Sequence, residues 1–322
     1  MLENQTPKIR LTRKLTFSVE QRLKENFDVV FNPDDAPLAR DELYKSMQEY
    51  DALVVTVSDQ VEAEMLQCSS RRVGMIANVG VGFSNIDTDV ARAMGIAVSN
   101  TPDVLTDATA DIAMFLILAA TRHTFCAERT LRTNEWTGFS IVDGLGASIQ
   151  GKTLGIVGMG RIGRATARRA ALGFGMKVIY YNRSPVPDID PDFLPLKSIE
   201  AVMSQADVVS VHVPGGSLSP PITASHIASM KPTAYLVNTA RGDSIDQEAL
   251  VDALVAGRIA GAGLDVFADE PRVPDQLRKL ENVSLLPHIG SATYEVRTAM
   301  GIMAAENIEA FFSGADLPNR VV

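Results

Sequence analysis

The stretch from Gly151 to Ser184, GKTLGIVGMGRIGRATARRAALGFGMKVIYYNRS, admits few folds. A compact apolar run, Thr153 to Val157, leads into Gly158, Gly160 and Gly163 at G-x-G-x-x-G spacing. An Ala/Arg-rich helical segment follows, then a second strand-like run from Lys177 to Tyr181. Strand, glycine turn, helix and strand is the order in which a βαβ unit holds a dinucleotide. Gly158 permits the tight turn, Gly160 lets backbone approach a pyrophosphate, and Gly163 lets the helix pack close to the strand. The phosphates then meet the helix N-terminus, with Arg161 and Ile162 in its first turn, where free N–H groups and the helix dipole favour anions. Glycine-rich turns recur by chance, but one framed by two strands and a helix is far more specific.

Selectivity for NAD usually rests on an Asp or Glu at the end of the second strand, about 20 residues after the turn, which accepts from the ribose 2′-hydroxyl. That place here reads Asn182-Arg183-Ser184. No carboxylate repels a 2′-phosphate, and a guanidinium with two small hydrogen-bonding side chains can hold one, so the expected cofactor is NADP. The alternative is that Arg183 is only a solvated loop charge.

At 322 residues, 46% hydrophobic and 21% charged, the chain has room for about two globular domains. Its longest apolar run, Ile112 to Ala120, is too short to span a bilayer, and no signal-peptide pattern opens the chain, so the expected location is cytoplasmic. Cys68 and Cys126 are too few for a disulfide framework or a C-x-x-C site, and no metal site is expected. A net charge of -9 without an aromatic-interleaved basic cluster argues against nucleic acid.

Before the glycine turn, apolar runs alternate with helical segments from Ile9 to Val98, which predicts a parallel sheet covered by helices on both faces. A long helix is expected over Asp103 to His123, with Pro102 at its start and Asp103 and Asp107 in its first turn. Thr124 to Gln150 reads as irregular. It carries Trp136 and Phe139 and is either a surface loop with two buried rings or a subunit contact. After the turn, strands are expected over Ala206 to Val213, Ala234 to Asn238, Gly261 to Val266 and Val283 to Leu286. The last helix, Thr293 to Phe312, is expected to return to the first domain. The predicted boundaries are a substrate domain over 1–100, completed by 290–322, and a Rossmann cofactor domain over 101–289.

Ligands in open α/β sheets bind beyond the carboxyl ends of strands, which is where Thr239-Ala240-Arg241-Gly242, Asp265 with Glu270, and His288 all fall. Reducing a carbonyl with a dinucleotide needs a hydride donor, a cation to polarise the oxygen, and an acid for the developing alkoxide. Arg241, Glu270 and His288 meet the last two needs. His288 would give the proton, with Glu270 on its other ring nitrogen raising its basicity, and Arg241 would offer a planar fork to the substrate. The plainer reading is a surface Arg–Glu pair and a packed histidine. His212 closes a strand and borders the expected cofactor site, whereas His123 and His226 read as helix residues.

TARGDSID (239 to 246), GLDVFADEP (263 to 271) and LPHIGSAT (286 to 293) resemble the three signatures of the D-isomer-specific 2-hydroxyacid dehydrogenases. NVGVGFSNID (78 to 87) and NTPDVLTDATADIA (100 to 113) extend the likeness over nearly the whole chain. Within the family, SDQVEAEML, TPDVLTDATA, the NRS turn and PHIGSAT look most like glyoxylate/hydroxypyruvate reductases. The resemblance implies two doubly wound α/β domains, a flavodoxin-like substrate domain and a Rossmann domain, with a cleft between them and a homodimer. It implies an NADPH-dependent reduction of a small 2-oxo acid, with the three catalytic roles as above. It places His212, Pro214, Thr239, Ala240, Asp265 and Gly290 at the cofactor, and Ser58, Val81 and Gly82 at the substrate. Asp265 would meet the carboxamide, its alternative being a cap on the Val266-Phe267 turn. An aromatic from the neighbouring subunit, Phe139 more closely than Trp136, would close the pocket. Where the family often continues H-x-P with Leu-Thr-Pro, this chain has Gly215-Gly216-Ser217, which leaves the loop contacts open. The rivals are an NAD-linked dehydrogenase of D-lactate, phosphoglycerate or a bulkier acid, and a non-catalytic dinucleotide-sensing protein.

Overall fold

The computed structural model describes residues 6–215 and 221–322, so Gly216 and Ser217 lie outside the described residues. From the N-terminus run β1 (Lys8–Leu11), α1 (Phe17–Asn26), β2 (Asp28–Val30), α2 (Arg40–Glu49), β3 (Ala52–Thr56), α3 (Ala63–Leu66), β4 (Met75–Val79), α4 (Thr88–Ala93) and β5 (Ala97–Ser99). Then come α5 (Thr106–Thr121), α6 (Thr124–Arg132), β6 (Thr153–Val157), α7 (Arg161–Phe174), β7 (Lys177–Tyr181), β8 (Leu194–Pro195), α8 (Ile199–Gln205) and β9 (Val208–Val211). The chain ends with α9 (Ala224–Ala228), β10 (Tyr235–Asn238), α10 (Gln247–Val255), β11 (Gly261–Leu264), α11 (Asp275–Lys279), β12 (Val283–Leu285) and α12 (Tyr294–Ser313). It divides into two compact units, Met1–Leu105 with Ser291–Val322, and Thr106–Gly290.

In the first unit five parallel strands lie in the order β2-β1-β3-β4-β5. This is the flavodoxin-like doubly wound order, with its switch point between β1 and β3. One core cluster gathers Leu43 and Met47 of α2, Leu53 and Val55 of β3, Ile76 of β4 and Val98 of β5. Helix α12 packs on β4 and α1, and Gly301 permits the close approach: a Cβ there would lie 2.7 Å from Val19 Cγ2. Arg22 of α1 pairs with Glu309 of α12 at 2.8 Å. The chain beyond α12 lies along β5, where Val321 N–H donates to Val98 O at 2.8 Å.

The second unit has seven parallel strands in the order β12-β11-β10-β9-β6-β7-β8. Both faces are buried. Leu116 and Ile117 of α5 with Ala167 and Ala170 of α7 cover one side, and Val202, Leu250 and Leu254 of α8 and α10 cover the other. This is why its strands read as continuous apolar runs rather than alternating ones. From β6 the chain first proceeds outward to β7, then crosses to β9 on the other flank. The strand order therefore reverses between β6 and β9, directly beside the glycine turn.

Three sequence expectations about helices need correction. The long helix begins at Thr106, not Asp103: Asp103 has φ 70 and lies outside it, leaving Asp107 as the acid of the first turn. Thr124 to Gln150 is not wholly irregular, because α6 occupies its start. His123 stands in the turn between α5 and α6, with φ 52, rather than inside a helix.

Candidate active site

The glycine turn leaves β6 at the switch point. Gly158 has φ 97, its N–H donates to Tyr181 O at 2.9 Å, and a Cβ on it would lie 2.6 Å from His212 O. Gly163 is as constrained, since a Cβ there would sit 2.2 Å from Gly158 O. Gly160 is different: no heavy atom lies within 4 Å of where its Cβ would be. The turn is thus packed tightly behind and open in front. Helix α7 begins there at Gly160 without a side-chain cap, and the N-terminus of a helix favours an anion.

Other residues expected around a dinucleotide surround the same strand ends. Asn182 Oδ1 accepts from Met159 N at 3.0 Å and its Nδ2 donates to Ser184 O at 2.8 Å, so one side chain fixes both the glycine turn and the NRS turn. Arg183 and Ser184 are exposed. His212 follows β9, its Nε2 lies 2.9 Å from Ser210 Oγ, and burial pushes its imidazole down to about 4, so the ring is neutral at physiological pH. Pro214 is exposed at the end of the same strand. Thr239 is buried and its Oγ1 has no partner among the described residues, the state of a hydroxyl awaiting a ligand. Uncapped helix, open glycine and unpartnered hydroxyl fit a nicotinamide dinucleotide.

The reactive residues are held by a neighbouring set of loops. Asn238, buried at the end of β10, accepts from Ala240 N at 3.0 Å and donates to Arg241 O at 2.8 Å, shaping the loop that presents Arg241. Arg241 Nη1 donates to Ala240 O at 2.7 Å. Burial lowers its guanidinium from the ordinary value, while the charges of Glu270 and Asp243 act in the opposite sense. Gly242 lies directly against the next loop: a Cβ would fall 1.9 Å from the carbonyl carbon of Phe267. On that loop Glu270 Oε1 accepts from Phe267 N at 3.0 Å, and Oε2 lies 2.7 Å from His288 Nδ1. Burial alone would raise the Glu270 carboxyl. The His288 hydrogen bond and charge, the Phe267 N–H and Arg241 outweigh it and hold the group below the usual carboxylate range. Glu270 is therefore an anion at neutral pH.

His288 follows β12 with φ 54, a left-handed conformation that costs a non-glycine residue energy and survives only where neighbours enforce it. Asp265 enforces it. Its main-chain oxygen accepts from His288 N at 2.9 Å, and its two carboxylate oxygens accept from Ile289 N and Gly290 N, each at 2.7 Å. Desolvation raises this carboxyl even against the two N–H groups and His288. The expected alternative for Asp265, a cap on the Val266-Phe267 turn, is thereby corrected. Glu270 holds that turn, and Asp265 reaches the turn after β12 because β11 and β12 are adjacent.

Arg241, Glu270, His288 and Asp265 thus come together in the second unit. Ser58, Val81 and Gly82 lie at strand ends of the first. Ser58 is exposed, 2.9 Å from Thr56 Oγ1 and accepting from Arg13 Nη1 at 3.3 Å. The N–H groups of Val81 and Gly82 donate to no group among the described residues. The two rings after α6 are not buried: Trp136 is 62% and Phe139 88% exposed, which corrects that expectation. Sequence reasoning missed Asn238 and the packing role of Gly242. The available signal was a polar residue closing an otherwise apolar run, AYLVN, which once buried must find partners.

The family model for the NAD binding domain of D-isomer specific 2-hydroxyacid dehydrogenases matches residues 114–290. This chain belongs to that family. The dehydrogenase is similar to the glyoxylate reductase of Thermococcus kodakarensis, at 42% identity over 321 residues that cover 98% of this chain and 96% of the relative. Among solved structures it is similar to the NADPH-dependent glyoxylate/hydroxypyruvate reductase of Sinorhizobium meliloti in complex with NADP and malonate. That match has TM-score 0.84 and 34% identity, covering 99% of this chain and 97% of the other. A glyoxylate reductase from Paecilomyes thermophila superposes with TM-score 0.85 at 32% identity, covering 98% of each chain. The protein is an oxidoreductase of the 2-hydroxyacid dehydrogenase family that uses a nicotinamide dinucleotide.

Proposed function

We propose that this dehydrogenase reduces a small 2-oxo acid of the glyoxylate or hydroxypyruvate kind with NADPH, giving the D-hydroxy acid where C2 is chiral. The observation that carries the reading is the 2.7 Å contact between His288 Nδ1 and Glu270 Oε2, with Arg241 near enough for its charge to act on Glu270. The nicotinamide supplies the hydride when bound. Glu270 holds the Nδ1 proton and stabilises the imidazolium, so His288 carries its exchangeable proton on Nε2 and gives it to the developing alkoxide. Arg241 polarises the carbonyl and fixes the acid, with a guanidinium whose partial desolvation strengthens that contact. The Val81 and Gly82 amides take the substrate carboxylate. Asp265 keeps the His288 turn in its strained form, and Thr239 with the first turn of α7 receives the dinucleotide.

Preference for NADPH is supported by Arg183 and Ser184, both exposed beside Asn182 where an acid would disfavour a 2′-phosphate. Arg183→Ala is expected to raise the KM for NADPH roughly tenfold and to leave NADH within about twofold. Initial rates with both cofactors and with glyoxylate, hydroxypyruvate, pyruvate and phenylpyruvate check this. Equal effects on the two cofactors would return Arg183 to a solvated charge, and faster turnover with NADH would overturn the preference.

A homodimer belongs to the same proposal. Phe125 and Leu131 of α6 and Trp136, Phe139, Ile141, Val142 and Leu145 beyond it are all exposed and fall within one stretch of chain. A second copy is its proposed cover, and Phe139 the ring that would reach the neighbouring subunit. Sedimentation equilibrium is expected to give twice the chain mass, and a monomer at micromolar concentration would refute it.

A further inference from the structure

Three successive carbonyls after β4 are all tied back into the first unit. Gly80 O accepts from Thr101 N at 3.0 Å and from Asn78 Nδ2 at 3.4 Å. Val81 O accepts from Asn100 Nδ2 at 2.8 Å, and Gly82 O from Asn78 Nδ2 at 2.9 Å. A trans peptide is planar, so its C=O and N–H point in opposite directions. Drawing the Gly80 carbonyl inward therefore turns the Val81 N–H outward, and drawing the Val81 carbonyl inward does the same to the Gly82 N–H. These are the two amides that donate to nothing else among the described residues. Consecutive N–H groups directed one way form an anion-binding nest.

The orientation of the donor is itself determined. Asn78 is fully buried, and its Oδ1 accepts from Asn85 Nδ2 at 3.3 Å, which forces its NH₂ toward the Gly80 and Gly82 carbonyls. Asn85, also buried, is held by Thr56 O at 3.1 Å and Asp59 O at 3.0 Å. Asn100 is anchored by its own N–H on Asn319 O at 3.2 Å. Gly80 leaves no slack, because a Cβ would meet Val57 Cγ1 at 2.6 Å. We infer that Asn78, Asn85 and Asn100 are positioning residues that preset the Val81 and Gly82 amides as a cradle for the substrate carboxylate. The inference rests on the proposed role of those two amides. Asn100 sets the Gly82 N–H, Asn78 with the Thr101 N–H sets that of Val81, and Asn85 sets Asn78. The asparagines touch no substrate. They act by removing the reorganisation that carboxylate binding would otherwise require.

The test compares oxamate, an unreactive carboxylate analogue of a 2-oxo acid, with oxamide, its uncharged counterpart, on protein saturated with reduced nicotinamide cofactor. Wild-type protein is expected to favour oxamate strongly. Asn100→Ala, which removes one hydrogen bond near the surface, is expected to weaken oxamate roughly five- to tenfold with oxamide and cofactor affinity changed less than about twofold. The KM of the 2-oxo acid should rise while kcat changes little, because the carboxylate contact is common to ground and transition states. Asn78→Ala should show the same pattern more strongly. Should that buried variant not fold, Asn100→Ala decides alone. Variants that fold, as read by thermal unfolding, and keep wild-type oxamate affinity would overturn the clamp and leave the Val81-Gly82 assignment standing. A wild-type protein that binds oxamide as well as oxamate would overturn that assignment and the clamp with it.

Discussion

Alanine at position 288 is expected to lower kcat for 2-oxo acid reduction by about 10² to 10⁴, the usual worth of a positioned general acid, with cofactor affinity nearly unchanged. The expectation follows from the isolation of the role: His288 is bound through Nδ1 to Glu270, and Asp265 fixes its backbone from β11 rather than through the ring. Removing the imidazole should thus spare the turn. Cofactor binding by fluorescence titration and single-turnover reduction check the two halves separately, and near-normal turnover would remove His288 as the proton donor. Glu270→Gln refines the picture. The wild-type carboxylate is held below its usual range and stays charged across neutral pH, so its replacement withdraws a negative charge from the imidazole. Turnover should then fall with cofactor affinity nearly unchanged, because the imidazolium left after proton donation loses its counter-charge. Wild-type turnover would leave Glu270 with a purely geometric role.

The second large effect is expected at a residue that carries no chemistry. In Gly242→Ala the new Cβ would fall 1.9 Å from Phe267 C, 2.0 Å from Phe267 O and 2.3 Å from Ala268 N. These are main-chain atoms, and neither loop is free to yield. Phe267 N is held by Glu270 Oε1, Ala268 N by Gln247 Oε1 at 3.0 Å, and the opposing loop by both ends of the Asn238 amide. The Arg241 loop must move away from the Glu270 loop. A displacement near an ångström between reacting groups costs on the order of 10² in rate, and overpacking of this kind costs about 1 to 3 kcal/mol or more in stability. Calorimetry and kcat/KM measured on the same preparation test both, and a wild-type Tm with wild-type activity would show that the contact is not tight in solution.

What the sequence disclosed, and what it withheld, divides by range. The glycine turn was readable because its logic is local. Thr153 to Val157 and Lys177 to Tyr181 match β6 and β7 residue for residue, and glycine spacing does the rest. Arg241, Glu270 and His288 were legible as residues following strand ends, and their convergence follows once β10, β11 and β12 are neighbours. The hydrogen-bond partners of Asp265 were not legible because they lie on the next strand's turn, a relation that exists only after the sheet forms. Asn78 and Asn238 were passed over inside MIANV and AYLVN, where the surrounding hydrophobicity dominates the pattern and a single amide carries no periodic signal. The early start given to α5 had a similar cause. Pro102 and Asp103 are good helix-opening residues, yet the chain takes an extra turn, with Asp103 left-handed, before Thr106 begins the helix.

The double duty of Asn182 constrains how a lineage carrying this turn can change. Its oxygen serves the glycine turn through Met159 N, and its nitrogen serves the main chain of Ser184. An aspartate there, the substitution that favours an unphosphorylated ribose, would keep the first bond but set a carboxylate against the Ser184 carbonyl. That single step would loosen the platform at which the ribose of a dinucleotide would be recognised. A viable route runs in a fixed order: segment 183–184 first acquires another hold, and the acid follows. Because one amide group holds both turns, a change at position 182 reaches the glycine turn and segment 183–184 together.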